Sequence, residues 1–555
     1  MKSIVVIDCA SSSQMYIPDI VDMGYRPVVI STYTDLGHMA PEVAANFERV
    51  RRETGAFADT IVLDADDDVD SVLEKLKPYE VLCVVPGTDK GVRLADQLNS
   101  RLGLKGNDPE TTCLRISKDG MVRALERAGV RAIKTRLVKG EEDVRDFWNT
   151  NGFTRAVLKF TESSGTVGVK ICDSLDACLG YYRTMGSMST AFGVTDCPVL
   201  MQEFIGGTEY IVNSLSIDGV HKVTDIWRYE KIFQPDGVIV YDYAVLVDRL
   251  TPGMQELISY DYAVLDAVEM RNGFCHTEIK IDDKGPVLIE TNPRIMGANL
   301  TREYLDEIFG THMTDITLKA LLEPTFFPNF LRTPYKPHKS AIFKLAIVPR
   351  DVDADLGPFF EMVRHLDSYR ETVYQRAPGY QRYVRTVDME TSPFILKLTN
   401  ADYGELRRDY ELIRQMEERY FDMVFTAGDH VDAVAPRTDL QRITSELPLS
   451  RRFAVVTDDG VKVHQFGRSE ASEGWEVYDG VLFAMCGETT LTDRLRQIMK
   501  AMSQIRKGGL FMIVPESYEA VPHGTVSAEA LMSIMGFNAE IPPSYGNGVL
   551  YGMKR

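Results

Sequence analysis

The sequence predicts a multidomain chain, α/β and α+β: a doubly wound α/β domain first, an antiparallel-rich α+β region next, and a third α/β unit last. Three observations carry this. Strand and helix signals alternate through the first hundred or so residues; strand follows strand through much of 156–247; and strand-like runs separated by a helical pattern return near the end. At 555 residues the chain is also far too long for a single core.

In the first part, Ile4–Ile7, Pro27–Ile30, Ile61–Leu63 and Val81–Val85 read as buried strands, with a helical segment through Met23 and another at 92–104, VRLADQLNSRLGL. The turn Asp8–Gln14 carries serines but no G-x-G-x-x-G, so a Rossmann dinucleotide site is not supported. Such a domain can instead hold part of a substrate at its strand ends. Ser117 then caps a helix whose Met121, Leu125 and Ala128 form one stripe. Strands are expected at 156–160, 167–171, 199–205, 209–217, 221–233 and 238–247, then a helix around 254–272 and a hairpin. Strands at 340–349 and 394–399 and a charged helix at 401–419 close this region. In the last part, Phe453–Val456, Tyr478–Ala484 and Leu510–Val514 are strand-like, a helix is expected over 492–509, and a strand pair lies around 537–553. Internal repeats and low-complexity linkers are not evident.

Composition narrows the function classes. Hydrophobic residues at 44% and charged residues at 26% are ordinary for a globular protein. A formal charge of −19 argues against a general nucleic-acid or anionic-membrane surface. The acidic run DADDDVD at 64–70 lacks the glycine and distal glutamate of a calcium loop and reads as a solvated connection. Eight cysteines without a C-x-x-C pair read as buried free thiols of a reducing compartment. The apolar core IVVI near the N-terminus is too short for a signal peptide, and no apolar run approaches a bilayer span, so the expected location is cytoplasmic.

Chemistry enters at HTEIKIDDKGPVLIETNPR, 276–294. Two alternating runs flank the turn-prone DDKGP, which predicts a β-hairpin. A loop of Asp283, Lys284 and Gly285, with Gly285 at positive φ, sets Asp282 against Pro286, Glu278 against Glu290 and His276 against Asn292. His276, Glu278 and Lys280 then share a face, as do Leu288, Glu290 and Asn292. Directly opposed carboxylates repel. Either the hairpin is solvent-exposed with its glutamates splayed, or the pair, with the Asn292 amide oxygen, holds magnesium.

Three further stretches bear on ligands. In AVLKFTESSGTVGVKI, 156–171, two strands flank a small-residue loop containing Ser163, Ser164 and Gly165, whose backbone N–H groups can close over phosphates; Lys159 precedes it as a point charge. A plain polar turn is the other reading, and the order is not that of a Walker loop. In VLMQEFIGGTEYIV, 199–212, a strand break leaves backbone at Gln202 and Phe204 to read an adenine edge, with Glu209 placed for ribose hydroxyls; a β-bulge explains the string equally. Lys118 sits at a helix start, where helix dipole and ammonium together suit an anion. In DIWRYEKIF, Trp227, Arg228 and Lys231 line a substrate cavity or simply alternate along a strand.

Taken in order, these elements resemble the ATP-grasp superfamily over roughly residues 1–420. The segment VPGTDKGVRLADQLNSRLGLKGN followed by SKDGMVRALERAGV is most similar to the L-amino acid ligase and carboxylate–amine ligase branch. The resemblance implies an ATP-grasp fold after a pre-grasp α/β domain, and a ligase that makes an amide through an acyl phosphate, releasing ADP and phosphate. It implies Lys118 and Lys159 on ATP phosphates under the 161–168 loop, Glu203 and neighbouring backbone on adenine, and Glu209 on ribose. Glu278, Glu290 and Asn292 are implied for two Mg2+ ions (Mn2+ as substitute), and Arg294 for the transferring phosphoryl group or acyl phosphate. His276, Gly297 and Asn299 join Trp227, Arg228 and Lys231 as candidate substrate contacts, although NPRIMGAN is less glycine-rich than is common in amino-acid ligases. Residues 1–112 form the pre-grasp domain, 113–200 the small lobe, 201–425 the large lobe with its extension, and 426–555 an appendage. That appendage resembles a degenerate class I methyltransferase without its glycine-rich turn, and is expected to be non-catalytic. Expected partners are small carboxylates and amines, amino acids or peptides, free or carrier-tethered, and a second copy of the chain. An ATP-grasp ligase of purine, carbamoyl-phosphate or cell-wall metabolism, or a nucleotide-binding scaffold, is the alternative.

Overall fold

The computed structural model describes residues 2–32, 58–64, 67–161, 168–188, 197–234, 238–356 and most of 359–427, then the backbone of six strands between 452 and 553. The chain divides into two compact units, Met1–Leu345 with Val387–Glu390, and Ala346–Thr386 with Thr391–Arg555.

The first unit opens with a parallel sheet of β1 (Lys2–Ile7), β2 (Arg26–Ser31), β3 (Asp59–Val62) and β4 (Glu80–Pro86), in the order β3-β2-β1-β4. Its apolar runs bury Val5, Ile7, Val28, Ile30 and Val84 beneath Leu98 of the helix Val92–Leu102. Because β2 and β4 flank β1 on opposite sides, the winding reverses at β1/β4 and leaves a crevice at their carboxyl ends. The acidic run proves partly structural: Asp68 caps the helix Val69–Leu76 by accepting from Ser71 N at 2.9 Å, and Asp67 pairs with Lys75.

Next, β5 (Thr135–Val138), β6 (Ala156–Phe160), β7 (Lys170–Cys172) and β8 (Val199–Glu203) form an antiparallel sheet ordered β5-β8-β6-β7. Two helices, Glu141–Asn151 and Leu175–Met185, supply Val144, Phe147, Cys178 and Leu179 to its core. The larger sheet of the unit runs β13-β12-β9-β10-β11-β14, from β9 (Thr208–Ile217), β10 (Val220–Phe233), β11 (Ile239–Leu246), β12 (Gly273–Asp282), β13 (Gly285–Asn292) and β14 (Ser340–Leu345). One face buries Val212, Ile226, Ile279 and Leu288 against Leu257 and Val264 of the helix Pro252–Ala267 and Met121 and Leu125 of the helix Lys118–Ala128. The expected helix at 254–272 thus stops at Ala267, since Gly273 already starts β12.

The second unit contains β15 (Val352–Asp355) paired with β17 (Tyr380–Tyr383), β16 (Tyr369–Tyr374) paired with β18 (Phe394–Asn400), and the helix Tyr403–Ala427. Beyond it, β19 (Arg452–Thr457), β20 (Gly460–Gln465), β21 (Arg468–Ala471), β22 (Tyr478–Met485), β23 (Ile505–Pro515) and β24 (Leu550–Met553) form a mixed sheet ordered β21-β20-β19-β22-β23-β24. The expected helix over 492–509 is corrected at its end: 505–509 are strand and belong to β23, IRKGGLFMIVP. Residues 486–504 and 516–549, which carry much of the methyltransferase likeness and half of the expected terminal strand pair, lie outside the described residues. No helix among the described residues is long and apolar enough to cross a membrane.

Candidate active site

The β12–β13 hairpin carries Glu278 opposite Glu290 and His276 opposite Asn292, as expected. The turn differs: Asp282 faces Gly285 (φ +98°) rather than Pro286, which leaves a two-residue loop of Asp283 and Lys284. A bulge restores the register, with Ile279 opposite Leu288 and Glu278 opposite Glu290, so Ile289 is the extra residue. The bulge also corrects the face of Leu288. It joins Ile279 in the core beneath the sheet, whereas Glu290 keeps the opposite face.

On that opposite face the ladders line up Glu290, Glu278, Ile211 and Trp227 across β13, β12, β9 and β10. Lys118, from the first turn of its helix, puts Nζ 2.8 Å from Glu290 Oε2. Burial would raise the Glu290 carboxyl, but Lys118 and Lys159 outweigh it and hold it down at about 2; Asn292 also hydrogen-bonds to it. Lys159, on β6, is 6% exposed, and its ammonium makes no hydrogen bond or ion pair among the described residues. Burial, then the neighbouring Lys118 charge, push it down to about 8. Beneath Glu278 runs a buried relay: His276 Nε2 lies 3.5 Å from Glu278 Oε1, and its Nδ1 donates to Asn213 Oδ1 at 3.0 Å. Asn213 Nδ2 and Trp227 Nε1 both donate to Asp225 Oδ1, at 2.5 and 2.7 Å.

A second charged cluster occupies the neighbouring rungs. Lys231 Nζ donates to both Glu209 oxygens, at 2.9 and 2.8 Å, Lys280 Nζ lies 3.7 Å from Oε2, and Tyr241 OH reaches Oε1 at 3.3 Å. Burial opposes the Glu209 charge, yet Lys231 and Lys280 hold its carboxyl below the ordinary value. Lys280 also donates to Ile205 O at 3.0 Å and stands 5.7 Å from the Phe204 ring, which Arg155 covers at 4.0 Å.

Arg294 follows the hairpin. Its Nη2 donates to Asp89 Oδ2 at 2.9 Å and its Nη1 to Ile295 O at 3.0 Å. Burial disfavours its charge, but Asp89, Glu290 and Glu278 raise its pKa further above the ordinary range. Beyond it, Ser12 Oγ donates to Gly297 O at 2.6 Å and accepts from Leu300 N at 2.8 Å, while Ser11 Oγ accepts from Asn299 N at 3.0 Å.

The structure therefore brings Lys118, Lys159, Glu278, Glu290, Asn292, His276 and Arg294 together, with Glu209 and Lys231 alongside. Gly297 and Asn299 face the serine turn. Three expectations are corrected. Trp227 is fully buried against Phe343, with ring centroids 5.3 Å apart, so it is floor rather than cavity wall. Arg228 points to the helix side of the sheet, opposite Tyr210, and pairs with Glu230 at 2.8 Å. Gln202 stands in register with both Thr135 and Val157 and gives its side chain to Thr135 Oγ1 at 2.8 Å. The break therefore comes after Glu203, whose N–H still bonds Lys134 O, and leaves Phe204 as the first residue outside the strand. Ser163, Ser164 and Gly165 lie outside the described residues. Sequence reasoning assigned no role to Asp89, Ser11, Ser12, Lys280 or Tyr241. Lys280 had a signal in its alternation with Glu278; Asp89 had one in its place just after a strand of a doubly wound domain.

Comparisons with known proteins bear on the fold that carries these residues. The chain is 27% identical to the dapdiamide A synthase of Enterobacter agglomerans over 75% of its own length and 96% of the relative's. It is 24% identical to the alanine–anticapsin ligase of Bacillus amyloliquefaciens over 40% of its length, spanning about half (50%) of that protein. An L-amino acid ligase structure from Bacillus licheniformis superposes with a TM-score of 0.58 at 15% identity, covering 75% of this chain and 97% of that one. The ATP complex of carboxyaminoimidazole ribonucleotide synthase from Aspergillus clavatus superposes with 0.55 at 11% identity, over 75% and 98%. No protein-family profile matches the chain. The chain is therefore similar in sequence to a dapdiamide synthase and an alanine–anticapsin ligase, and over three quarters of its length it shares the fold of the L-amino acid ligase and the carboxyaminoimidazole ribonucleotide synthase, as the resemblance to ATP-grasp carboxylate–amine ligases implies.

Proposed function

We propose that this site activates a carboxylate with ATP and joins it to an amine, making an amide bond in specialised metabolism. The observation that carries the reading is Lys159: a buried ammonium without a protein partner among the described residues, beside a pair of facing glutamates. A buried, unpaired cation is unfavourable unless an anion arrives, and the phosphates of ATP are such an anion.

In the reaction a carboxylate oxygen attacks the γ-phosphorus, a C–O–P bond forms, and the bond to ADP breaks. The amine nitrogen then attacks the acyl carbon, loses a proton, and phosphate leaves with the C–O bond. This chain supplies charge and position rather than a covalent nucleophile. Lys118, now on Glu290, and Lys159 would lie along the phosphates, and Arg294 would steady the moving phosphoryl group. Phe204 and the backbone around Glu203 would flank adenine. Glu209 would meet the ribose only by sharing a carboxylate that Lys231 already engages through both oxygens.

The residues also fit magnesium. Glu278, Glu290 and Asn292 offer hard oxygen donors, and Glu290 stays ionised down to about pH 2. Magnesium ordinarily keeps waters and substrate phosphate oxygens among its ligands, so two carboxylates and an amide oxygen are a sufficient protein share. When bound, such ions draw charge from the γ-phosphoryl group.

The decisive experiment is a phosphate-release screen over pairs of amino acids with MgATP, product masses read in parallel. ADP and phosphate appearing only with both substrates is the expected result; AMP and pyrophosphate would refute the mechanism. Finer parts of the reading are a carrier-tethered substrate, a homodimer, a cytoplasmic location, and the division at residues 112, 200 and 425. Carrier-loaded substrates in the screen, sedimentation, fractionation and limited proteolysis test them in turn.

A further inference from the structure

We propose that Asp89 is a positioning residue for Arg294, so that the N-terminal parallel sheet sets the geometry of phosphoryl transfer; this rests on the ligase reading above. Asp89 starts the short turn Asp89–Gly91 at the carboxyl end of β4, at the β1/β4 reversal. That turn is held firmly. A Cβ at Gly87 would stand 2.4 Å from Asp8 O, and one at Gly91 would stand 2.9 Å from Ile7 Cγ2, so both glycines seat the turn directly on the end of β1. From there Asp89 Oδ2 takes the Arg294 guanidinium at 2.9 Å, leaving Arg294 only 16% exposed.

The same crevice grips the rest of the Arg294 loop through Ser11 and Ser12, as described. Of the six non-glycine residues with positive φ among the described residues, four meet here: Asp8 (58°), Ser11 (54°), Ala298 (65°) and Asn299 (49°). Left-handed backbone of this kind costs on the order of 1 kcal/mol or more per residue and persists only where surrounding contacts hold it. A strained loop fixed at both ends is a device for placing one side chain. The second Asp89 oxygen is buried and without a hydrogen bond, so Arg294 is the group this carboxylate is seen to bond, with the Lys118 charge as a further neighbour.

The test uses the full chain and the amino-acid pair giving the fastest phosphate release. Asp89→Asn should lower kcat about tenfold to a hundredfold while KM for ATP stays within about twofold, since a small misplacement of a catalytic group acts on the transition state. Asp89→Glu should recover part of the rate. In an Arg294→Ala background Asp89→Asn should add little, because the two act as one unit. Multiplying effects, or an equal rise in KM for ATP, would overturn the proposal. A readout independent of turnover is phenylglyoxal labelling resolved by peptide mass: Asp89→Asn should speed modification of Arg294 and leave other arginines alone, and an unchanged Arg294 rate refutes the positioning role. Absence of turnover in the wild type with every pair would refute the ligase reading instead, with the labelling result still deciding this one.

Discussion

Two lysine–glutamate clusters share one face of the β9–β13 sheet, and their charges are balanced differently. Around Glu209, two lysines and a tyrosine converge on one buried carboxylate, and the lysines' own needs are largely met by it. Around Glu278 and Glu290, two carboxylates face each other, one lysine pairs with one of them, and Lys159 is left without a partner among the described residues. The first cluster is closed by the protein; the second is open and needs ligand. Closed charge clusters hold structure, whereas open ones store interaction energy for a substrate. Substitutions at the open cluster should therefore weigh chiefly on activity, and those at the closed cluster chiefly on stability.

The largest expected effect lies at the open cluster. Glu290→Ala should reduce phosphate release by more than about a thousandfold, since it removes an electrostatic support acting on the transition state. Circular dichroism should change little, whereas the denaturation midpoint should fall, because Lys118 loses its carboxylate partner and Lys159 a neighbouring countercharge. Retained turnover would break the comparison at its centre. Lys159→Met comes next, with a loss of about a hundredfold in kcat/KM for ATP and a gain in stability, because a buried unpaired ammonium disappears.

The pH dependence of Lys159 sharpens the same point. Its pKa is lowered from the ordinary 10.5 to about 8, so the free enzyme loses this cation as pH rises through about 8. kcat/KM for ATP should fall about thirtyfold between pH 7 and 9.5, and Lys159→Arg, permanently charged, should lack that limb. Stability should move the other way. Between about 8 and 10.5 the unfolded chain binds the proton that the folded chain has released, so this group's contribution to folding grows with pH. A pH-rate profile beside urea melts at pH 7, 8.5 and 9.5 would show whether the two trends diverge.

How much of this was legible in the sequence follows the same division between local and distant determinants. The Glu278–Glu290 pairing was legible because a hairpin's partners are close in the chain, but its register came out right only because a loop one residue shorter than expected is offset by the bulge at Ile289, which hydrophobic periodicity alone leaves ambiguous. Lys118 and Lys159 were found by local context. Asp89 was not given a role, although its strand end was located, because its partner Arg294 lies 205 residues away and nothing in either neighbourhood announces the pairing. Trp227 was misread for a similar reason: alternation put it on the correct face, but its burial depends on Phe343, supplied by β14.

At the closed cluster the balance should reverse. Glu209→Gln leaves Lys231 and Lys280 facing each other without their carboxylate, which should cost about 2–3 kcal/mol of stability, reduced from fully buried cases because both lysines remain about one-fifth exposed. Turnover should drop only about tenfold at a temperature where the protein stays folded. An unchanged denaturation midpoint would contradict the assignment of Glu209 as a structural hub.

The smallest effect tests whether the sheet face, rather than mere proximity in sequence, defines the site. Arg228 and Lys231 are three residues apart on β10, and strand alternation, with a bulge between Glu230 and Lys231, puts Lys231 over Glu209 and Arg228 on the helix side. Arg228 is 38% exposed and its partner Glu230 is 40% exposed, so their ion pair is well solvated. Such pairs contribute about 0.5 kcal/mol or less. Arg228→Ala should therefore leave kcat, KM for ATP and the denaturation midpoint nearly unchanged, within about twofold for the kinetic constants. Lys231→Ala, so close by in sequence, should repeat the destabilisation of Glu209→Gln, because it opens the same cluster from its other side. If Arg228→Ala instead lowered turnover as strongly as Lys231→Ala, the two faces of β10 could not be functionally distinct, and the separation between a ligand-facing and a core-facing side of the sheet would have to be abandoned.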